Sequence, residues 1–151
     1  MIQIIGLDPG AKGAMAVLTL DRRLRLYRFD GKSEQDIAHT ILAESVNTCY
    51  AFLEKVHAMP SQGSQSTFTF GKNLGFLRGV LVASGIPFED VTPQVWQRGV
   101  GMGQTFPTQQ HRKRAATQLA QQLYPGIKIT QDASDGILIA EYGRRLHTRE
   151  K

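Results

Sequence analysis

The stretch Ile2-Gln3-Ile4-Ile5-Gly6-Leu7-Asp8-Pro9-Gly10 decides the fold. Isoleucine and leucine recur from Ile2 to Leu7 in a loose alternation, which predicts a buried strand. Asp8-Pro9-Gly10 ends it in a turn, because proline presets φ and glycine tolerates the reversal. A carboxylate therefore stands at the end of an apolar strand, where an unpaired charge is costly. Beyond the turn, Ala14 to Leu20 reads as a second strand, Asp21-Arg22-Arg23 as a short turn, and Leu24, Leu26 and Phe29 as a third strand of a meander. Ser33 is a candidate N-cap for a helix to about Ser45, with Ile37, Ile41 and Leu42 on one face. Cys49 to Val56 is a fourth strand whose apolar run Glu54 interrupts, followed by a Ser/Gly/Gln-rich loop from Pro60 to Gln65.

A helix from about Thr67 to Ala83 stops at Gly85 and Pro87, and a short strand near Phe88 to Val91 follows. Pro93 to Gln97 suits a helical turn, and the glycine-rich stretch Gly99 to Pro107 reads as a mobile loop. Gln109 to Leu123 is a basic amphipathic helix carrying Arg112, Lys113 and Arg114, and a last helix spans about Asp132 to Leu146. A meander followed by helix-crossed strands predicts an α/β fold: a mixed sheet with helices on both faces. The whole chain, 1–151, is expected to form one domain.

Composition narrows the classes. Hydrophobic residues are 41% and charged residues 21%, an ordinary globular mixture. A net charge of +5 and a pI near 9.6 favour polyanionic partners, nucleic acid first, although charge alone also fits a merely basic protein. Cys49 is the one cysteine, which excludes an internal disulfide and a cysteine-based zinc site. No signal peptide and no bilayer-length apolar run are visible, so a cytoplasmic protein with no membrane partner is expected.

Four acidic residues at three sites carry the candidate chemistry. Asp8 caps the first strand, Glu54 lies in Ala51-Phe52-Leu53-Glu54-Lys55-Val56, and Asp132 and Asp135 stand three apart in Asp132-Ala133-Ser134-Asp135. That spacing puts the two aspartates on one side of a helix, in a first turn that favours negative charge. Singly, each has a plainer reading: a turn for Asp8, a solvent-facing edge residue for Glu54, a cap for Asp132. Brought together they would repel unless a hard divalent cation, Mg²⁺ or Mn²⁺, joined them. Two such ions in one site can hydrolyse a phosphodiester.

In this order, Ile5-Gly6-Leu7-Asp8-Pro9-Gly10, Leu53-Glu54-Lys55-Val56 and Asp132-Ala133-Ser134-Asp135 resemble the three acidic motifs of RuvC Holliday junction resolvases. Leu74-Gly75-Phe76-Leu77-Arg78-Gly79-Val80 is similar to that family's central helix. The resemblance covers nearly the whole chain, and the small size suits a phage-type member. It implies an RNase H-like five-stranded sheet, a homodimer, two Mg²⁺ or Mn²⁺ ions per active site, and paired symmetric nicks in a four-way DNA junction. It makes Asp8, Glu54, Asp132 and Asp135 the metal-binding catalytic carboxylates and Lys113 an inward lysine at the scissile phosphate. Two positions depart from the pattern: a second family lysine falls on Trp96, and an aromatic residue after the motif glutamate is His57.

Other residues suggest contacts. Gly71, Gly75 and Gly79 line one helix face, with Phe76 and Val80 beside them, and suit either a dimer interface or close packing on the protein's own sheet. Phe68 and Phe70 suit base stacking or the core. Lys72, Arg78, Arg98, Arg112, Arg114, Arg144 and Arg145 are candidate phosphate contacts or solvated charge, with Phe70, Lys72, Arg78, Arg112 and Arg114 the favoured DNA-binding set. On the basic helix, Lys113 is expected to face inward and Arg112 and Arg114 to supply affinity. Two rival functions remain: an RNase H-like nuclease acting on forks, flaps or RNA–DNA hybrids, and a nucleotide-binding domain of the actin-like or sugar-kinase type.

Overall fold

The computed structural model describes residues 1–55 and 61–150; Val56, His57 and Pro60 lie outside the described residues. Its strands are β1 (Ile2–Leu7), β2 (Ala14–Thr19), β3 (Leu24–Arg28), β4 (Thr48–Glu54) and β5 (Phe88–Val91). Its helices are α1 (Glu34–Glu44), α2 (Ser64–Ala83), α3 (Pro93–Gly99), α4 (Gln109–Leu123) and α5 (Gln131–Thr148). The sheet order is β3-β2-β1-β4-β5. β1, β2 and β3 form the antiparallel meander, and β4 and β5 run parallel to β1. The expected mixed sheet with helices on both faces is therefore present.

Strand alternation divides the core. Ile4, Ala16, Leu18 and Phe52 face Trp96 of α3, Ala116 and Ala120 of α4 and Ile137 and Ala140 of α5. Ile5, Leu7, Met15, Val17 and Leu53 face Ile41 of α1 and Leu77 and Leu81 of α2. α5 lies against the centre of the sheet because small residues let it approach. A Cβ on Gly6 would come within 2.3 Å of the Gly136 carbonyl oxygen, and one on Gly143 within 2.3 Å of the Phe52 ring. Among the described residues, no helix is long and apolar enough to cross a membrane.

α2 and the glycine-rich stretch differ from the sequence expectation. α2 begins at Ser64 rather than near Thr67, since its first turn is polar and carries no apolar period. The glycine-rich stretch is less free than expected, because Val100 and Met102 are each 3% exposed and packed in the core.

Candidate active site

Strand register assembles the first two carboxylates. Leu7 pairs with Leu53 across the parallel β1/β4 ladder, and the next residues are Asp8 and Glu54. Leu7 and Leu53 point toward α1 and α2. Alternation sends Asp8 and Glu54 to the other face, under the start of α5. The first turn of α5 carries Asp132, and Asp135 follows one turn on. All four carboxylates line one cleft of about 560 Å³, together with Lys12, Phe70, Arg112 and Lys113. Among the described residues, no histidine or cysteine is in its wall.

The cleft is electrostatically strained. Burial, then the nearby Asp135, raises the Asp8 carboxyl to a pKa of about 6, against a hydrogen bond from the Gly10 amide at 3.1 Å and the charges of Arg112 and Lys113. Glu54, only 8% exposed, is pushed up to about 8 by burial and then by Asp8 and Asp135. The indole N–H of Trp96, 2.7 Å from Glu54 Oε2, and the charge of Arg112 oppose that rise.

Each α5 aspartate meets an arginine from another element. Arg112 of α4 donates from Nη1 and Nη2 to the two oxygens of Asp135, both at 3.0 Å. Arg28 of β3 lies 3.7 Å from Asp132. Among the described residues, no three acidic, histidine or cysteine side chains close into a ready-made metal cage. The four carboxylates share a cleft, but both Asp135 oxygens are engaged by the guanidinium.

The basic helix corrects one expectation. α4 packs through Arg112, Ala116 and Ala120, spaced by four. Arg112 is consequently the inward cation, buried and bonded to Asp135, and is not an outward phosphate contact. Lys113 is exposed at the cleft rim, and Arg114 points away beside Thr117 and Gln118. Arg144 and Arg145 are corrected too: both pair with the buried Glu141, and Arg144 also binds Glu150. Arg78 is ion-paired with Asp90 and lies over Phe88. Lys72 and Arg98 are exposed.

The α2 glycines do not pack on the sheet: a Cβ on Gly71, Gly75 or Gly79 would have nothing within 4 Å. Phe76 and Val80 are half-buried against the protein's own core. Phe68 is 74% exposed, which excludes its core reading, and Phe70 is half-buried at the cleft. Trp96, where the resemblance expects a lysine, is fully buried. Sequence reading missed Lys12 and Arg28. Lys12 lies just past the Asp-Pro-Gly turn, a usable signal; Arg28 reaches the site only through strand pairing.

This sheet order, with carboxylates at the ends of two adjacent parallel strands and on the helix across them, gives an RNase H-like fold with an acidic cleft. The sequence matches no protein-family profile and no curated protein. Among solved structures, the chain is similar to Thermus thermophilus RuvC, with a TM-score of 0.65 and 12% identity over 97% of this chain and 96% of that one. It is similar to T. thermophilus RuvC in complex with Holliday junction substrate, at the same score and identity, over 98% and 96%. The fold is RuvC-like.

Proposed function

We propose that this protein is a divalent-metal-dependent endonuclease that cuts four-way DNA junctions. The observation that carries this reading is the convergence of Asp8, Glu54, Asp132 and Asp135 on one cleft of a RuvC-like fold. The all-carboxylate donor set among the described residues fits a hard ion such as Mg²⁺ or Mn²⁺. Such an ion supplies Lewis-acid activation of water and charge compensation at the phosphodiester. Glu54 is the buried donor and Asp8 a half-buried one; Asp132 is more open, its side chain 41% exposed. Asp135 accepts one Arg112 N–H on each oxygen and keeps a further lone pair on each for an ion.

The chain's own cations share the remaining work. Arg112 offsets the carboxylate charge from inside, and Lys113 stands at the rim, where a phosphate would enter. Phe70 at the cleft and the exposed Lys72 and Arg114 serve DNA binding. Paired nicks need two sites, and a C₂ homodimer supplies them. The open face of α2, running Phe68, Gly71, Gly75, Gly79, Val82, is the candidate contact, for Phe68 and Val82 are 74% and 69% exposed.

Side-by-side incubation with labelled four-way junction, fork, flap, hybrid and duplex substrates tests the reading. Junction cleavage that requires Mg²⁺ or Mn²⁺ supports it. Preferential cleavage of forks, flaps or hybrids would reassign the substrate. No cleavage of any substrate in either ion would overturn it.

A further inference from the structure

Behind the cleft lies a side chain that no sequence pattern explains: a buried tryptophan bonded to one of the cleft carboxylates. Trp96 is the single tryptophan of the chain, is fully buried, and donates its indole N–H to Glu54 Oε2 at 2.7 Å. It sits on the short helix α3, which ends against α5; a Cβ on Gly99 of α3 would meet the Tyr142 ring within 2.4 Å. α3 is thus held by α5, the same helix that carries Asp132 and Asp135.

We propose that Trp96 is the positioning residue for Glu54, fixing one carboxylate oxygen so that the carboxylate faces the cleft in a single orientation, and that its emission reports occupancy of the site by a divalent cation. Indole N–H is donor only, so Trp96 can orient the carboxylate without competing as a ligand. A lysine at this position would add a charge that neutralises Glu54; the indole adds a directed hydrogen bond and none. Packing fixes the ring, which is part of the core with Phe52, Val91 and Ile137. A donor whose own rotamer is locked is what an outer partner of a metal ligand needs, and loss of such partners typically costs about 10- to 100-fold in metal affinity or activity.

This inference rests on the metal-site reading of the cleft, and its test separates the two. In the wild-type protein, Mg²⁺ titration should change Trp96 emission saturably. Glu54→Gln, which leaves the indole in place, should abolish that change. Trp96→Phe keeps an aromatic ring but no donor. It should stay folded by circular dichroism, bind Mn²⁺ at least about 10-fold more weakly by electron paramagnetic resonance, and need correspondingly more metal for half-maximal junction cleavage. Wild-type Mn²⁺ affinity in folded Trp96→Phe would overturn the proposal. If that variant fails to fold, the emission comparison decides: equal Mg²⁺ responses in wild type and Glu54→Gln would overturn it. A saturable, Glu54-dependent response in a protein that cuts no junction would leave the Trp96 inference standing and remove the nuclease reading.

Discussion

Arg112 holds Asp135 through two parallel hydrogen bonds of 3.0 Å, so the basic helix and the acidic helix meet at the cleft. Bidentate pairing of this kind is strong and orients both groups. Arg112→Ala should therefore lower the single-turnover rate by about two orders of magnitude, the scale of losing a positioned charge, with little loss of junction affinity. Arg112→Lys, which keeps charge but not the fork, should fall between. Lys113→Ala should show a smaller rate loss, and Arg114→Ala should weaken binding and reduce its salt slope by about one. Equal losses of affinity and unchanged rates in all three alanine variants would make the helix an electrostatic patch.

Removing a ligand should separate binding from cleavage. Asp8→Asn, Asp132→Asn and Asp135→Asn should each cut cleavage by about two or more orders of magnitude while junction binding holds or tightens. Each substitution deletes one negative charge that repels phosphate. Gel-shift and cleavage assays on the same preparations check this, and full activity in any variant would exclude that residue as a required ligand.

Stability of the metal-free protein should fall as pH rises. Asp8 and Glu54 have native values raised to about 6 and about 8 from 3.8 and 4.5. The native state thus binds more protons than the unfolded chain between about pH 4 and 8. Their contribution is fully present below the unfolded values and is lost as pH climbs through the native ones. Melting curves in EDTA should show Tm decreasing across that window relative to Glu54→Gln, and Mg²⁺ should raise wild-type Tm more at pH 8 than at pH 5. A Tm difference that does not vary with pH would refute the linkage.

Dimer formation can be tested without disturbing the protomer. Gly75 has open space where a Cβ would stand, so Gly75→Leu fits the isolated fold and improves helix propensity by about 1 kcal/mol. Light scattering should give a dimer for wild type and a monomer, or a weaker dimer, for the variant. Wild-type monomers at high concentration, bound to junctions one to one, would exclude the interface.

Far from the cleft, Glu141 is 1% exposed and bonds Arg144, Arg145 and Tyr124. Glu141→Ala leaves Arg144, itself 2% exposed, without its buried partner and should cost about 3–5 kcal/mol in urea unfolding. Loss of under about 1 kcal/mol would show that Glu150 alone suffices for Arg144.

The sequence by itself determined the elements and the four candidate carboxylates. Apolar period and caps are local, so β1, β5 and α4 fall where Ile2 to Leu7, Phe88 to Val91 and Gln109 to Leu123 predict them. The carboxylates were legible because charge in an apolar run, as at Glu54, and a three-residue spacing, as at Asp132 and Asp135, are visible in one dimension. Only the tertiary structure decided which way side chains face. Arg112, Lys113 and Arg114 are neighbours in sequence about 100° apart on a helix, and the packing of Ala116 and Ala120 on α5 turned Arg112 inward. The partnerships of Trp96 with Glu54 and Arg28 with Asp132 depend on strand order and helix placement, which bring together residues separated along the chain. Likewise, spacing by four showed that the α2 glycines share a face, but only the folded chain left that face open, because burial is a property of what packs against a helix rather than of the helix itself.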